Sequence, residues 1–266
     1  MAGESAAIIE RREYKYLIDH ATMVAMRAAI RPFCQLDEHA ERSPTRTYTI
    51  DTLYFDTEDL ALFWANDKEQ VDRIKMRVRS YADAPKAPIF FEVKRRINDV
   101  ISKSRGKVSR SEWAALLADP GAPIPAHIGG KDRWAVERFL SLARSLHVRP
   151  FTLVRYQREP YFSTIDDYAR VTFDTNICAQ RMERLSFDGD PRAWRSLDDP
   201  ILQRTQHGRS MVVLELKFTS HVPLWMVGLA RRFGLVRCGF SKYGNSIRAF
   251  FQRETPRTFH LAGGWR

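Results

Sequence analysis

The stretch that most limits the fold is residues 71–81, VDRIKMRVRSY. Successive side chains of a β-strand point to opposite faces. As a strand, this segment lines up Arg73, Lys75, Arg77 and Arg79 on one side and Ile74, Met76 and Val78 on the other. Four cations in a row repel one another, and a solvated surface is their ordinary home. That reading weakens if other segments repeat the division into an apolar and a cationic face. They do.

Taken in order, Met1 to Ala7 reads as a lead-in, and residues 9–18 (IERREYKYLI) set Arg11, Glu13 and Lys15 opposite Tyr14, Tyr16 and Ile18. Asp19 is a good N-cap for a helix carrying Met23, Met26, Ala29 and Ile30, which stops near Pro32. Residues 35–46 read as a polar loop, residues 48–56 (YTIDTLYFD) as a strand, and Thr57 as the cap of a short helix over Leu60 to Trp64. After a loop with Pro85 and Pro88, residues 89–98 (IFFEVKRRIN) put Glu92, Lys94 and Arg96 opposite Phe91, Val93 and Ile97. Residues 100–108 continue with Lys103, Arg105 and Lys107 in alternation. Ser109 or Ser111 is expected to cap a helix through Trp113, Leu116 and Leu117. The Pro- and Gly-rich run 119–130 is a loop, and residues 132–147 form an amphipathic helix.

Strands return at residues 150–158 (PFTLVRYQR), with Tyr156 and Arg158 sharing a face, and at 169–177 (ARVTFDTNI), where Arg170, Thr172 and Asp174 oppose Val171 and Phe173. A turn at 188–191 and a polar loop over 198–208 precede residues 211–219 (MVVLELKFT), which set Glu215 and Lys217 opposite Leu214, Leu216 and Phe218. Residues 223–233 read as an apolar core helix, FSKYG (240–244) leads into a last helix to Phe251, and residues 253–266 form a tail. The reading is a single domain over residues 8–252. Strict alternation without uniformly apolar runs argues for an antiparallel α+β protein.

Length and charge narrow the partner. The 266 residues suffice for a full-sized core, and 43 Lys and Arg against 32 acids leave +11, an excess suited to a polyanion. Cys34, Cys178 and Cys238 are scattered, without a zinc-like spacing or a disulfide framework, which fits a reducing cytoplasm. No signal-peptide core and no apolar run long enough to span a bilayer occurs. A soluble cytoplasmic protein is expected, with the inner face of a membrane also open to it through a separate membrane-protein partner.

At least six strands carry one apolar and one Arg- or Lys-rich face, while the helices need an apolar surface to cover. The economical arrangement is a sheet closed into a barrel, apolar sides outward beneath helices and charged sides inward. Cations crowded in a lumen depress one another's ionisation, and a bound phosphate chain relieves them, with Arg as bidentate donor and Lys as point charge. Glu13, Glu92, Asp174 and Glu215 are hard oxygen ligands suited to Mg²⁺ or Mn²⁺ between protein and phosphate, Glu215 foremost. Each could equally neutralise a neighbouring Arg.

The ordered set EYK, YFD, RVRSY, FEVK, SKSR, YQR, RVTFD, LELKF and FSKYG resembles the VTC domain, named from the vacuolar transporter chaperone complex, of the CYTH-like triphosphate tunnel superfamily. The resemblance runs from about Arg12 to Ile247. It implies a closed antiparallel β-tunnel and synthesis of inorganic polyphosphate from ATP with Mn²⁺ or Mg²⁺. It assigns Lys15, Arg77, Arg79, Lys94, Lys103, Arg158 and Arg170 to the reacting phosphates, and Ser241 and Lys242 to the FSK motif. Arg73, Lys75 and Lys217 extend the substrate-binding face, and Glu215, joined by Glu13 and Glu92, is the expected metal ligand set. Two positions depart from the pattern. Arg11 stands where tunnel hydrolases of the ExExK type carry their first glutamate, and Gly239 where some polymerases carry a lysine before FSK, with Arg237 nearby.

The implied chemistry is attack of a chain-terminal phosphate on the ATP γ-phosphorus. That nucleophile is already anionic, so positioning and charge neutralisation suffice. The sequence accordingly lacks a P-loop, an HxxEH motif or a Ser/His/Asp arrangement. A tunnel triphosphatase acting on tripolyphosphate or nucleotides, with Glu10, Glu13 and Glu92 near its metal, is the first alternative. A non-catalytic polyphosphate or nucleotide sensor is the second. A specific nucleic-acid partner is not expected, because apart from Tyr81 and Tyr156 most aromatics fall on apolar faces.

Overall fold

The computed structural model describes residues 12–98, 100–198, 211–219 and 221–251. In chain order these form β1 (Arg12–Ile18), α1 (His20–Ile30), β2 (Cys34–Leu36), α2 (Glu38–Glu41), β3 (Tyr48–Asp56), α3 (Ala61–Asp67), β4 (Asp72–Tyr81), β5 (Ile89–Ile97) and β6 (Val100–Val108). Then follow α4 (Trp113–Ala118), α5 (Gly130–Leu146), β7 (Arg149–Ser163), β8 (Ala169–Arg181), β9 (Arg195–Ser196), β10 (Val212–Phe218), α6 (Leu224–Arg232) and α7 (Lys242–Phe251). The readings of the N-terminal lead-in, of Glu10 and Arg11, of most of the 198–208 loop and of the tail lie outside the described residues.

All strand pairs are antiparallel, in one ten-stranded sheet ordered β1-β10-β8-β7-β3-β4-β5-β6, with β2 added to β7 and β9 to β8. The sheet curls, and among the described residues no ladder joins β1 to β6 to close it into the expected barrel. The free edge of β1 is already engaged. The Cys238 N–H donates to the Lys15 carbonyl at 2.9 Å and Arg237 bridges Tyr16, so the segment entering α7 sits where a closing strand would pair.

Two apolar layers cover the outer face. Met76, Val78, Phe91 and Val93 of β4 and β5 pack under Val136, Phe139 and Leu140 of α5. Leu214, Leu216 and Phe218 of β10 and Val171 and Phe173 of β8 pack under Met23, Met26 and Ile30 of α1 and Met226 and Leu229 of α6. α5 approaches β6 closely at Gly106, where a Cβ would lie 2.7 Å from the Asp132 carbonyl oxygen. No helix among the described residues is long and apolar enough to cross a membrane.

The expectation that all helices lie outside is overturned by α7, which sits in the concavity. Phe240, Tyr243 and Ile247 pack there against Ile50, Tyr54, Val154, Tyr156, Ile177 and Val213. A bulge sets the alternation off: β8 advances three residues, from Thr175 to Cys178, while β7 advances two, from Gln157 to Arg155. Both Asp174 and Ile177 therefore face inward, and part of the inner face becomes apolar and needs a cover. A buried carboxylate fixes that cover. Asp56 accepts the Leu62 and Phe63 N–H groups at 2.8 Å each and the Tyr243 hydroxyl, joining β3, α3 and α7.

Local starts and stops show where short signals fail. Asp19 caps α1 as expected, accepting the Thr22 N–H at 2.7 Å. The 35–46 loop instead holds β2 and α2, too short for either periodicity to register. Thr57 shares the start of α3 with Asp56, its hydroxyl taking only the Ala61 N–H. At α4 neither Ser109 nor Ser111 caps with its side chain; the Ser109 hydroxyl donates to the Glu112 carboxylate instead.

Candidate functional site

The concave face collects the charged half of each long strand. Register places Lys15 beside Glu215, Lys217 beside Arg170, Arg77 beside Glu92 and Lys94 beside Lys103 and Lys75. The inward row Arg73, Lys75, Arg77 and Arg79 thus faces the same concavity as Lys15, Arg158, Arg170 and Lys217 from the opposite arm of the sheet. The start of α7 reaches in between: the Lys75 ammonium donates to the Ser241 hydroxyl at 3.4 Å, and Lys15 donates to the Phe240 carbonyl at 3.1 Å. Ser241 also caps α7, accepting the Gly244 N–H at 3.1 Å.

One arm is an ion-paired network. Arg158 donates two hydrogen bonds to Asp174, at 2.7 and 2.8 Å, and Lys242 a third at 2.5 Å. Glu215 lies 2.7 Å from Lys217, 3.3 Å from Arg158 and 3.4 Å from Lys15. Glu13 contacts the same two lysines, Lys15 at 3.2 Å and Lys217 at 3.6 Å. Burial alone would raise the Glu215 carboxyl, yet Lys217, Lys15, Lys242 and Arg158 hold it well below the usual carboxylate range. Burial likewise works against the Lys15 ammonium, but Glu215 and Glu13 outweigh it and raise its pKa. The Tyr156 ring lies under Lys242 and Arg158, with centroid distances of 4.4 and 5.4 Å.

The other arm centres on Glu92. It takes the Arg77 guanidinium at 2.6 Å, Arg105 at 3.4 Å and Arg79 at 3.5 Å, and Arg77 also donates to the Tyr54 hydroxyl at 3.3 Å. Burial opposes the charge on Glu92, but Arg77, Arg79 and Arg105 bring its pKa down to about 2.

Other inward cations have no carboxylate partner among the described residues. Among the described residues no carboxylate lies within ion-pair distance of Arg73, Lys75, Lys94, Lys103 or Arg170. Burial first, then Lys94, Lys15, Arg77 and Arg73, pushes the Lys75 pKa down to about 7. Burial also lowers Lys94, to about 8; Glu13 opposes the shift, and Lys103, Lys15 and Arg77 add to it. The buried Nε atoms of Arg79 and Arg170 have no hydrogen-bond partner among the described residues. Arg170 lies against the Phe162 and Tyr168 rings, at 4.3 and 5.1 Å. An anionic ligand with several acceptor oxygens would answer these groups together.

The expected metal set divides. Among the described residues no three His, Cys, Asp or Glu side chains form a group able to hold an ion. Glu92 is engaged by three arginines, Arg77, Arg79 and Arg105. Glu13 and Glu215 remain together across β1 and β10. Two carboxylates with phosphate oxygens and water fit the way Mg²⁺ is commonly held.

The structure brings together more than the sequence reading selected. Arg105, which the alternation placed on the charged face, reaches Glu92, and Tyr54 and Tyr156 join the charged groups through Arg77, Arg158 and Lys242. The signal for Tyr54 and Tyr156 was present in their inward parity alone.

In fold, the chain is similar to a crystal structure of a candidate adenylate cyclase from Bacillus halodurans, with a TM-score of 0.51 at 14% identity, covering 91% of this chain and 98% of that one. It is also similar to a protein of Pyrococcus horikoshii, at a TM-score of 0.43 and 8% identity, covering 92% and 99%. No curated protein matches it in sequence. The sequence model of the VTC domain matches residues 10–251, a span that takes in every strand of the basic concavity, and the chain belongs to the VTC domain family.

Proposed function

We propose that this protein is a polyphosphate polymerase that transfers the γ-phosphoryl group of ATP to a growing phosphate chain held in the basic concavity. The observation that carries the reading is the set of inward cations, Arg73, Lys75, Lys94, Lys103 and Arg170, that have no carboxylate within ion-pair distance among the described residues. Family membership supports a triphosphate ligand there.

In this reading Arg77, Arg79, Lys94 and Lys103 grip the nucleotide triphosphate, and Lys15, Arg158, Arg170, Lys217 and Lys242 hold the acceptor chain. A terminal phosphate oxygen attacks the γ-phosphorus, the bond from the γ-phosphorus to the bridging oxygen breaks, and ADP leaves with that oxygen. The nucleophile is anionic from the start, so the residues neutralise and orient, and no general base is required. A Mn²⁺ or Mg²⁺ ion, held by Glu13 and Glu215, would neutralise phosphate oxygens. Ser241 and the α7 N-terminus add N–H donors to the same anion site.

The test is incubation of the purified protein with ATP and Mn²⁺, with products resolved by size. Long phosphate chains that disappear in Glu215→Gln are the expected result. Free phosphate without chains would replace the polymerase with a tunnel triphosphatase, and tight tripolyphosphate binding without turnover would leave a sensor.

A further inference from the structure

The β5–β6 hairpin end carries apolar side chains with nothing among the described residues to cover them. Val71, Ile97, Val100 and Ile101 are 63, 43, 73 and 44% exposed, and the Asn98 N–H donates to the Val71 carbonyl at 2.9 Å, so the four sit at one corner of the sheet. Strand parity distributes them over both sides. Ile97 and Val100 share the outer face with Val93 and Val108, whereas Val71 and Ile101 share the inner face with Arg73 and Lys103. A patch made to meet another protein surface is ordinarily one-sided. An end that is apolar on both sides is suited to immersion in an apolar medium.

Cations stand one step behind the tip. Residues 94–103, KRRINDVISK, hold Lys94, Arg95, Arg96 and Lys103 against the single acid Asp99. Arg95 pairs with Asp72 at 2.5 Å. Arg73, Lys94 and Lys103 have no ion-pair partner among the described residues and face the concavity, so the collar is continuous with its rim. An apolar end with a cationic collar matches the two layers of an anionic bilayer surface, acyl chains beneath negative headgroups.

We propose that the β5–β6 hairpin end docks this protein on an anionic lipid bilayer, with Ile97, Val100, Ile101 and Val71 entering the interface and the rim of the basic concavity against the headgroups. This goes beyond the polymerase reading and stands without it.

The test is co-sedimentation of the full chain with vesicles of phosphatidylcholine alone or mixed with phosphatidylglycerol, comparing wild type with Val100→Asp and Ile101→Asp. Unchanged urea midpoints in both variants show that the fold is intact, because both side chains are exposed. The expected result is binding to the anionic vesicles only, weakened about tenfold or more by either substitution and partly kept when tripolyphosphate occupies the concavity. Failure to bind vesicles overturns the proposal, as does equal binding by the variants. Complete displacement by tripolyphosphate overturns it too, because lipid headgroups would then be occupying the concavity. Tip-dependent self-association without vesicle binding would make the tip a contact between copies, and it counts against the proposal in the same way.

Discussion

Binding of a phosphate chain should draw protons onto the protein, and the amount follows from Lys75 and Lys94. With pKa values of about 7 and about 8, both are partly neutral at working pH when the concavity is empty. A polyanion between them favours the ammonium forms and returns both to full charge. At pH 8, Lys75 is ~90% and Lys94 ~50% neutral, so binding takes up ~1.4 protons; the sums become ~0.6 at pH 7 and ~1.9 at pH 9. The rise with pH is the signature, read after subtracting the ligand's own proton release in the same buffers. The assay is calorimetric titration with tripolyphosphate at each pH, in two buffers of different ionisation enthalpy. Lys75→Met should lower the uptake at pH 8 to ~0.5, the share of Lys94. In the empty protein the same depressed values have the opposite sign for stability. The Lys75 contribution weakens the fold as pH falls from its ordinary 10.5 to about 7, and not further below. Tight binding with a heat independent of buffer at pH 8, or an uptake that falls with pH, would refute the reasoning.

Two further outcomes test the division of the acids. Glu92→Gln frees Arg77, Arg79 and Arg105 from their counter-charge, so tripolyphosphate should bind more tightly while the urea midpoint falls; its Mn²⁺ requirement in a product assay should match wild type, whereas Glu13→Gln should raise the metal concentration needed. Asp174→Ala strands the buried Arg158 and Lys242 charges and should cost ~3–5 kcal/mol of stability in urea unfolding; a loss below ~1 kcal/mol would mean that water already screens the network.

What could be read in advance is what strand parity encodes. The faces assigned to β1, β4, β5, β6 and β10 follow from alternation alone, because one face of each packs against amphipathic helices and a slip of one residue would bury its charges. Closure of the sheet was not legible. It depends on what occupies the β1 edge, and the Arg237–Cys238 segment that does so carries no strand pattern of its own. The inner position of α7 was hidden for a related reason. A single bulge in β8 turns Ile177 inward beside Asp174, and a helix that reads as another outer cover becomes the apolar floor of the concavity. Glu92 marks a different limit. Alternation put it among cations, but the identity of its partners depends on distances across strands, which bring three guanidiniums within reach of it. Glu13 and Glu215 sit instead among lysines, point charges that each engage one oxygen, with Arg158 also reaching Glu215 at 3.3 Å. One arm thus sets a single carboxylate among three guanidiniums, while the other spreads Lys15, Lys217, Lys242 and Arg158 over Glu13, Asp174 and Glu215, charges that a phosphate chain could share in the proposed reading.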